Sequence, residues 1–242
     1  EGNVVTPTYH TPEGDVWTRG STHLGRISDS MGVQTEGMIK DVEDFDPVIF
    51  MIEDTVYHVD NSVYFDKVRD LGSYGMVRDR GLGPPYDSTR GYFGHYSGIP
   101  AWIYAQQDYP DHFARLMEAA ERLQERRFEL VVNSPAEHIS FGSLDGHYGP
   151  ERWEKYILPF YQKYVPLLQA EGKICHFHAH ASNLAAYKDL IAQTGVDVVE
   201  AFTPPPVGDL SIAQAREAWG PETVIWVNLP ETVFSYGEEE TN

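Results

Sequence analysis

Three segments decide the fold: KICHFHA (173–179), DVVEAF (197–202) and TVIWVN (223–228). Each is rich in the β-branched and aromatic residues that strands favour. The stretches between them, 183–194 and 211–219, have the apolar spacing of helices. Strands that alternate with helices of about 10–15 residues indicate βαβ units and a parallel sheet.

The alternation extends upstream of these segments. A strand is predicted at 138–142, and Pro110 and Pro150 each stand at the start of a helical pattern, the position that proline prefers. Residues 98–242 therefore form the regular βα part of the chain.

The remainder, 1–97, is irregular and rich in turn formers. Short strands are predicted there at 15–18 and 48–51, and long loops at 72–83 and 84–98. The length of 242 residues suits a single barrel domain over 1–242.

Polar residues collect where the predicted strands end: Asp145, His176, His178, His180, Glu200 and Asn228. An eight-stranded barrel builds its active site from those ends. No glycine-rich phosphate loop follows a strand, which speaks against a nucleotide-binding open sheet. We therefore predict a TIM-type (β/α) barrel, incomplete at its N- and C-terminal ends.

Charge and composition exclude several classes of protein. With 18 basic and 37 acidic residues the net charge is −19, which disfavours nucleic acid and anionic membranes as partners. No apolar run is long enough to span a membrane and no secretory signal is visible, so a cytoplasmic location is expected. The arginines at 122, 126 and 127 alternate with glutamates, a pattern typical of a solvated helix face.

Candidate ligand residues are most concentrated on the strand that contains His176 and His178. Strand side chains alternate between faces, so His176, His178 and His180 point one way, while Cys175 and Phe177 point the other. Imidazoles on one face, with a carboxylate, suit a metal such as zinc. The alternative is that one histidine binds a ligand by a hydrogen bond and the others are structural. Cys175 is expected to be a packed core thiol.

Two acidic residues are further candidates. Glu200 lies inside a strand, where a carboxylate is costly unless it is paired or functional. Asp145 is either an acid/base or ligand at the end of a strand, or a turn residue that caps the next element.

Several segments resemble the uroporphyrinogen decarboxylase superfamily. GPERWEKYILPF (149–160) is similar to its S-P-E-x-F-x-E-F-x-L-P-Y helix, and HFHA (176–179) falls where its corrinoid-linked methyltransferases carry His-x-Cys-Gly. Further similar segments, in the same order as in the family, are TPEGD (11–15), IKDVEDF (39–45), TGVDVVE (194–200) and PVGD (206–209).

The resemblance implies a (β/α) barrel enzyme with one of two chemistries. The decarboxylases remove carboxyl groups from a polyanionic tetrapyrrole without a cofactor and carry an R-Q-A-G-R motif, which this sequence lacks. The methyltransferases move a methyl group to or from a corrinoid or a thiol, with zinc held by His-x-Cys and a later cysteine. Here position 178 is His, and Cys175 is the single cysteine.

We therefore expect metal-assisted methyl transfer from a small methylated substrate, with a thiol or a corrinoid on a partner protein as acceptor. His176, His178 and Glu200 would hold zinc, Asp145, Glu200 and His180 would act in catalysis, and Asn228 would contact the cofactor. The alternatives are a cofactor-free decarboxylase that uses Asp145 with Arg78 or Arg80, and a non-catalytic barrel that binds a corrinoid or a protein.

Overall fold

The computed structural model describes residues 3–22, 32–94, 98–144, 149–179 and 183–229. The strands in these ranges are β1 (Asn3–Val5), β2 (Thr8–Thr11), β3 (Gly14–Trp17), β4 (Arg19–Thr22), β5 (Val33–Glu36), β6 (Arg78–Arg80), β7 (His138–Ser143), β8 (Ile174–His178), β9 (Val198–Phe202) and β10 (Val224–Val227). The α-helices are α1 (Phe45–Glu53), α2 (Ser62–Leu71), α3 (Pro85–Arg90), α4 (Ile99–Asp108), α5 (Pro110–Val132), α6 (Gly149–Tyr156), α7 (Leu158–Ala170), α8 (Lys188–Ala192) and α9 (Ile212–Trp219).

The chain divides into two compact units. The first comprises Glu1–His58 and Pro85–Arg126, and the second comprises Val59–Pro84 and Arg127–Asn242. Within the described residues, no helix combines the length and the apolar character that crossing a membrane requires.

The first unit contains the antiparallel hairpin β2–β3, the antiparallel sheet β1-β4-β5 and the helices α1, α3 and α4, with most of α5. Phe45 lies near its centre, fully buried and edge-on to Phe93 and Tyr109, with ring centroids 6.0 and 6.1 Å away. The strand predicted at 15–18 is confirmed as β3, but the strand predicted at 48–51 is wrong.

Residues 48–51 belong to α1 because the apolar run continues with helical spacing. Phe45, Val48, Ile49 and Ile52 are buried at intervals of three and four residues, which is the pattern of one helix face. A window of four apolar residues is too short to distinguish this helix from a strand. The Asp41–Asp44 capping box immediately upstream satisfies free N–H groups before the helix.

Ion pairs join α5 to α1. Arg115 Nη2 lies 2.8 Å from Asp46 Oδ1, Arg122 pairs with Glu53, and Arg126 Nη2 donates to the Ile52 carbonyl over 3.0 Å. Arg122, Arg126 and Arg127 were predicted to line a solvated face with neighbouring glutamates. The prediction is wrong for Arg126, whose guanidinium instead binds the end of a neighbouring helix.

The second unit is built on a parallel sheet of order β10-β9-β8-β7-β6. This confirms the predicted α/β class with a parallel sheet. In the described ranges β6 and β10 are the two edges of this sheet, so these strands do not close into the predicted barrel. The predicted loops at 72–83 and 84–98 also contain regular structure, since β6 lies within 72–83 and α3 lies within 84–98.

Aromatic residues pack helices onto one face of this sheet. Phe177 of β8 contacts Tyr161 of α7 and Trp153 of α6, with ring centroids 5.4 and 6.3 Å apart. Phe202 of β9 packs edge-on against Trp219 of α9 at 5.6 Å. The opposite face of the sheet carries the polar side chains described next.

Candidate active site

The two faces of β8 differ as the alternation predicts. Cys175 and Phe177 are fully buried on the helix-covered face, and burial raises the pKa of the Cys175 thiol to about 12, with a smaller contribution from Asp197. His176 and His178 point to the other face. The prediction that Cys175 is a packed core thiol agrees with this placement.

Glu200 lies beside His178 in the next strand. The two residues are in register across β8 and β9, and His178 Nδ1 is 3.6 Å from Glu200 Oε1. Glu200 Oε2 accepts a hydrogen bond from Arg78 Nη1. The Glu200 side chain is only 13% exposed, so its charge depends on these two partners.

Arg78 reaches Glu200 from the far edge of the sheet. It lies on β6, and strands β7 and β8 stand between β6 and β9. In a flat sheet those backbones would be about 14 Å apart. The contact between the two side chains therefore means that they converge over the face that carries the histidines.

A β-bulge at Glu200 and Ala201 interrupts the pairing of β9 with β10 directly beside these contacts. Glu200 and Ala201 together oppose Trp226, since Ile225 pairs with Val199 and Val227 with Phe202. Ala201 has φ 57°, in the left-handed region that residues other than glycine rarely adopt. Bulges of this kind often lie next to active sites, where they redirect a side chain.

His176 is held by a second histidine. His176 Nε2 and His138 Nδ1 share a hydrogen bond of 2.8 Å, and His176 is 1% exposed. Burial lowers the pKa of His176 to about 4; nearby His138 and Arg78 act in the same direction, and Asp197 opposes them. His176 is therefore neutral at pH 7, and its buried Nδ1 has no hydrogen-bond partner among the described residues.

His138 was not among the candidate site residues that the sequence indicated. A usable signal was present, because the predicted strand begins at His138. Its alternation places His138 and Ser140 on one face, and these residues pair with Ile174 and His176 of β8. The pairing register itself becomes known only from the fold.

The predicted zinc ligands are not brought together as one set. Among the described residues, no group of three or more His, Cys, Asp or Glu side chains could hold a metal ion. His176 is bonded to His138, and Glu200 is bonded to a guanidinium, whose positive charge opposes a cation at the same carboxylate. In this arrangement His176, His178 and Glu200 do not fit a zinc site.

The other predicted site residues have different outcomes. Asn228 follows β10, and its side chain donates to Thr203 Oγ1 over 3.3 Å. Asp145 and His180 lie outside the described residues, as does the side chain of Arg80.

Comparisons with known proteins give no family assignment: no protein-family model matches the chain, and no curated protein matches it. The chemistry of the site is therefore inferred from its geometry.

The described side chains are suited to proton transfer near an anion. Arg78 uses one terminal nitrogen for Glu200, and a guanidinium has further N–H groups that can bind a second anion. His178 lies within ion-pair distance of Glu200, which can stabilise its protonated form. A guanidinium and an imidazole thus share one carboxylate.

Proposed function

We propose that the chain is an enzyme of the uroporphyrinogen decarboxylase superfamily, and that it decarboxylates a small carboxylated substrate without a metal. The observation that carries this proposal is the contact of Glu200 with both Arg78 and His178. The sequence resemblance and the polar residues at the ends of the parallel strands support the same assignment.

In this reaction the bond between the carboxylate and its neighbouring carbon breaks. Carbon dioxide leaves, and the electron pair stays on the carbon. Protonated His178 donates its proton to that carbon, and water returns a proton to His178 afterwards. Glu200 stabilises the imidazolium and keeps His178 oriented.

Arg78 is assigned to the developing negative charge or to a second anionic group of the substrate. A cation held on the departing carboxylate would oppose its conversion to neutral carbon dioxide, whereas a cation near the developing carbanion lowers the barrier. The net charge of −19 disfavours a polyanion, so a substrate with one or two carboxylates fits best.

The test is release of labelled carbon dioxide from a panel of carboxyl-¹³C acids whose carbanions are stabilised, such as malonate and pyrrole-3-acetate. We expect turnover of at least one acid, with a loss of about 100-fold or more in His178→Ala. His10→Ala is the matched control, since His10 lies exposed on the β2–β3 hairpin. If no acid in the panel is decarboxylated, the proposal fails and a non-catalytic binding barrel gains support.

The second candidate is metal-assisted methyl transfer with zinc and a corrinoid partner protein. The proximity of His178 and Glu200 favours it, because these are two zinc-ligand types 3.6 Å apart. It requires Arg78 to leave Glu200 and a third ligand to join. Near-stoichiometric zinc in untagged protein that disappears in His178→Ala would support this candidate.

A further inference from the structure

The backbone at Ala201 reverses the alternation of β9. In a regular strand the side chains of residues 200 and 202 would lie on the same face. Here Glu200 lies on the histidine face, and Phe202 is buried against Trp219 on the helix-covered face. The left-handed φ of 57° at Ala201 makes this possible.

Two polar side chains hold that conformation. Thr203 Oγ1 donates to the Ala201 carbonyl over 3.2 Å and accepts from Asn228 Nδ2 over 3.3 Å. The backbone N–H of Asn228 also donates to the Phe202 carbonyl over 2.7 Å. Thr203 is 7% exposed, whereas Asn228 is exposed. Thr203 is thus the buried centre of this network, and Asn228 connects it to the end of β10.

A left-handed alanine persists only where its surroundings compensate for the strain. The Thr203 hydroxyl bonds to the carbonyl of Ala201 itself, so it acts directly on the strained peptide. Glu200 is the residue directly upstream of that peptide, and together with Ala201 it opposes Trp226 across the bulge.

We propose that Thr203, braced by Asn228, is a positioning residue that fixes the Ala201 bulge and thereby directs Glu200 to Arg78 and His178. This inference rests on the proposed function only for its catalytic consequence. Asn228 thus acts through Thr203 on the orientation of Glu200, a role different from the cofactor contact predicted from the sequence.

The test is a double-mutant cycle on the stability of the full chain, made with Arg78→Met and Glu200→Gln. The cycle is repeated in Thr203→Val, which removes the hydroxyl but keeps the shape. In the parent chain the coupling between Arg78 and Glu200 should be about 30-fold in the unfolding equilibrium constant. In Thr203→Val it should fall below about twofold, and Thr203→Ser should restore it.

Thr223→Val is the matched control. Its hydroxyl likewise donates to a backbone carbonyl, that of Trp219, over 2.9 Å, away from Glu200. It should leave the coupling unchanged. If Thr203→Val is too unstable to measure, Asn228→Ala is used, and a partial loss of coupling is expected.

Unchanged coupling in Thr203→Val, or equal loss in Thr223→Val, would overturn the inference. Because the cycle measures the stability of the chain, it can be carried out whether or not the chain catalyses a reaction. If Thr203→Val abolishes the coupling but the parent chain releases no carbon dioxide, the positioning role of Thr203 stands and the proposed function is refuted. Where turnover is found, Thr203→Val should lower kcat with little change in KM.

Discussion

The Arg78–Glu200 pair should respond asymmetrically to the loss of each partner. The Arg78 side chain is 37% exposed and that of Glu200 only 13%. Glu200→Gln leaves a guanidinium that water can reach, so we expect a loss of about 1 kcal/mol, the upper range for exposed pairs.

Arg78→Met instead leaves a largely buried carboxylate. An uncompensated buried charge costs about 3–5 kcal/mol. Since Glu200 is not fully buried and still has His178 at 3.6 Å, we expect the smaller loss of about 2–3 kcal/mol. The methionine replaces much of the apolar stem, so the difference reports charge rather than packing.

The assay is urea unfolding at pH 7.5, followed by tryptophan fluorescence, at low and high salt. Arg69→Met is the matched control: Arg69 pairs with Asp66, but both side chains are more than half exposed, at 69% and 58%. We expect its effect to stay below about 0.5 kcal/mol. Equal losses in Arg78→Met and Glu200→Gln, or a larger loss in Glu200→Gln, would refute the reasoning.

Three further predictions concern other parts of the second unit. Because burial lowers the pKa of His176 from 6.5 to about 4, the unfolded chain binds more protons between these values. The free energy of unfolding should therefore fall by up to about 3 kcal/mol as pH drops from 6.5 to 4. In His176→Phe the urea midpoint should depend less on pH across this range. The single thiol, Cys175, should react with a disulfide reagent at pH 8 about 100-fold more slowly in the folded chain than in urea, and equal rates would contradict its burial. Gly81→Ala should lose about 1–3 kcal/mol, because its Cβ would overlap the Ile139 side chain, whereas Gly83→Ala should be nearly neutral; thermal unfolding of the two compares them directly.

Periodicity predicted the parts of the fold that depend on short-range order. The alternation of β8 was sufficient to separate Cys175 and Phe177 from His176 and His178. Helix α1 was missed because its buried residues extend beyond the apolar run that suggested a strand. Helix α2 was missed because none of its residues is buried, so no core-facing stripe marks it.

The candidate site was only partly predictable for a different reason. Glu200 was identified because a carboxylate inside a strand is energetically costly unless it is paired or functional. Its partner Arg78 lies 122 residues away in sequence, and their contact depends on strand order and sheet curvature. The sequence contains no signal for the bulge either, because the left-handed backbone conformation of Ala201 is one that glycine usually adopts.

Our central claim is that Glu200 pairs with Arg78 and orients His178 in a reaction that needs no metal. The most direct measurement compares the rate of carbon dioxide release with the zinc content of the same samples, after chelation and after zinc is restored. We predict a rate that does not change with zinc content. A rate that rises in proportion to bound zinc would contradict the claim.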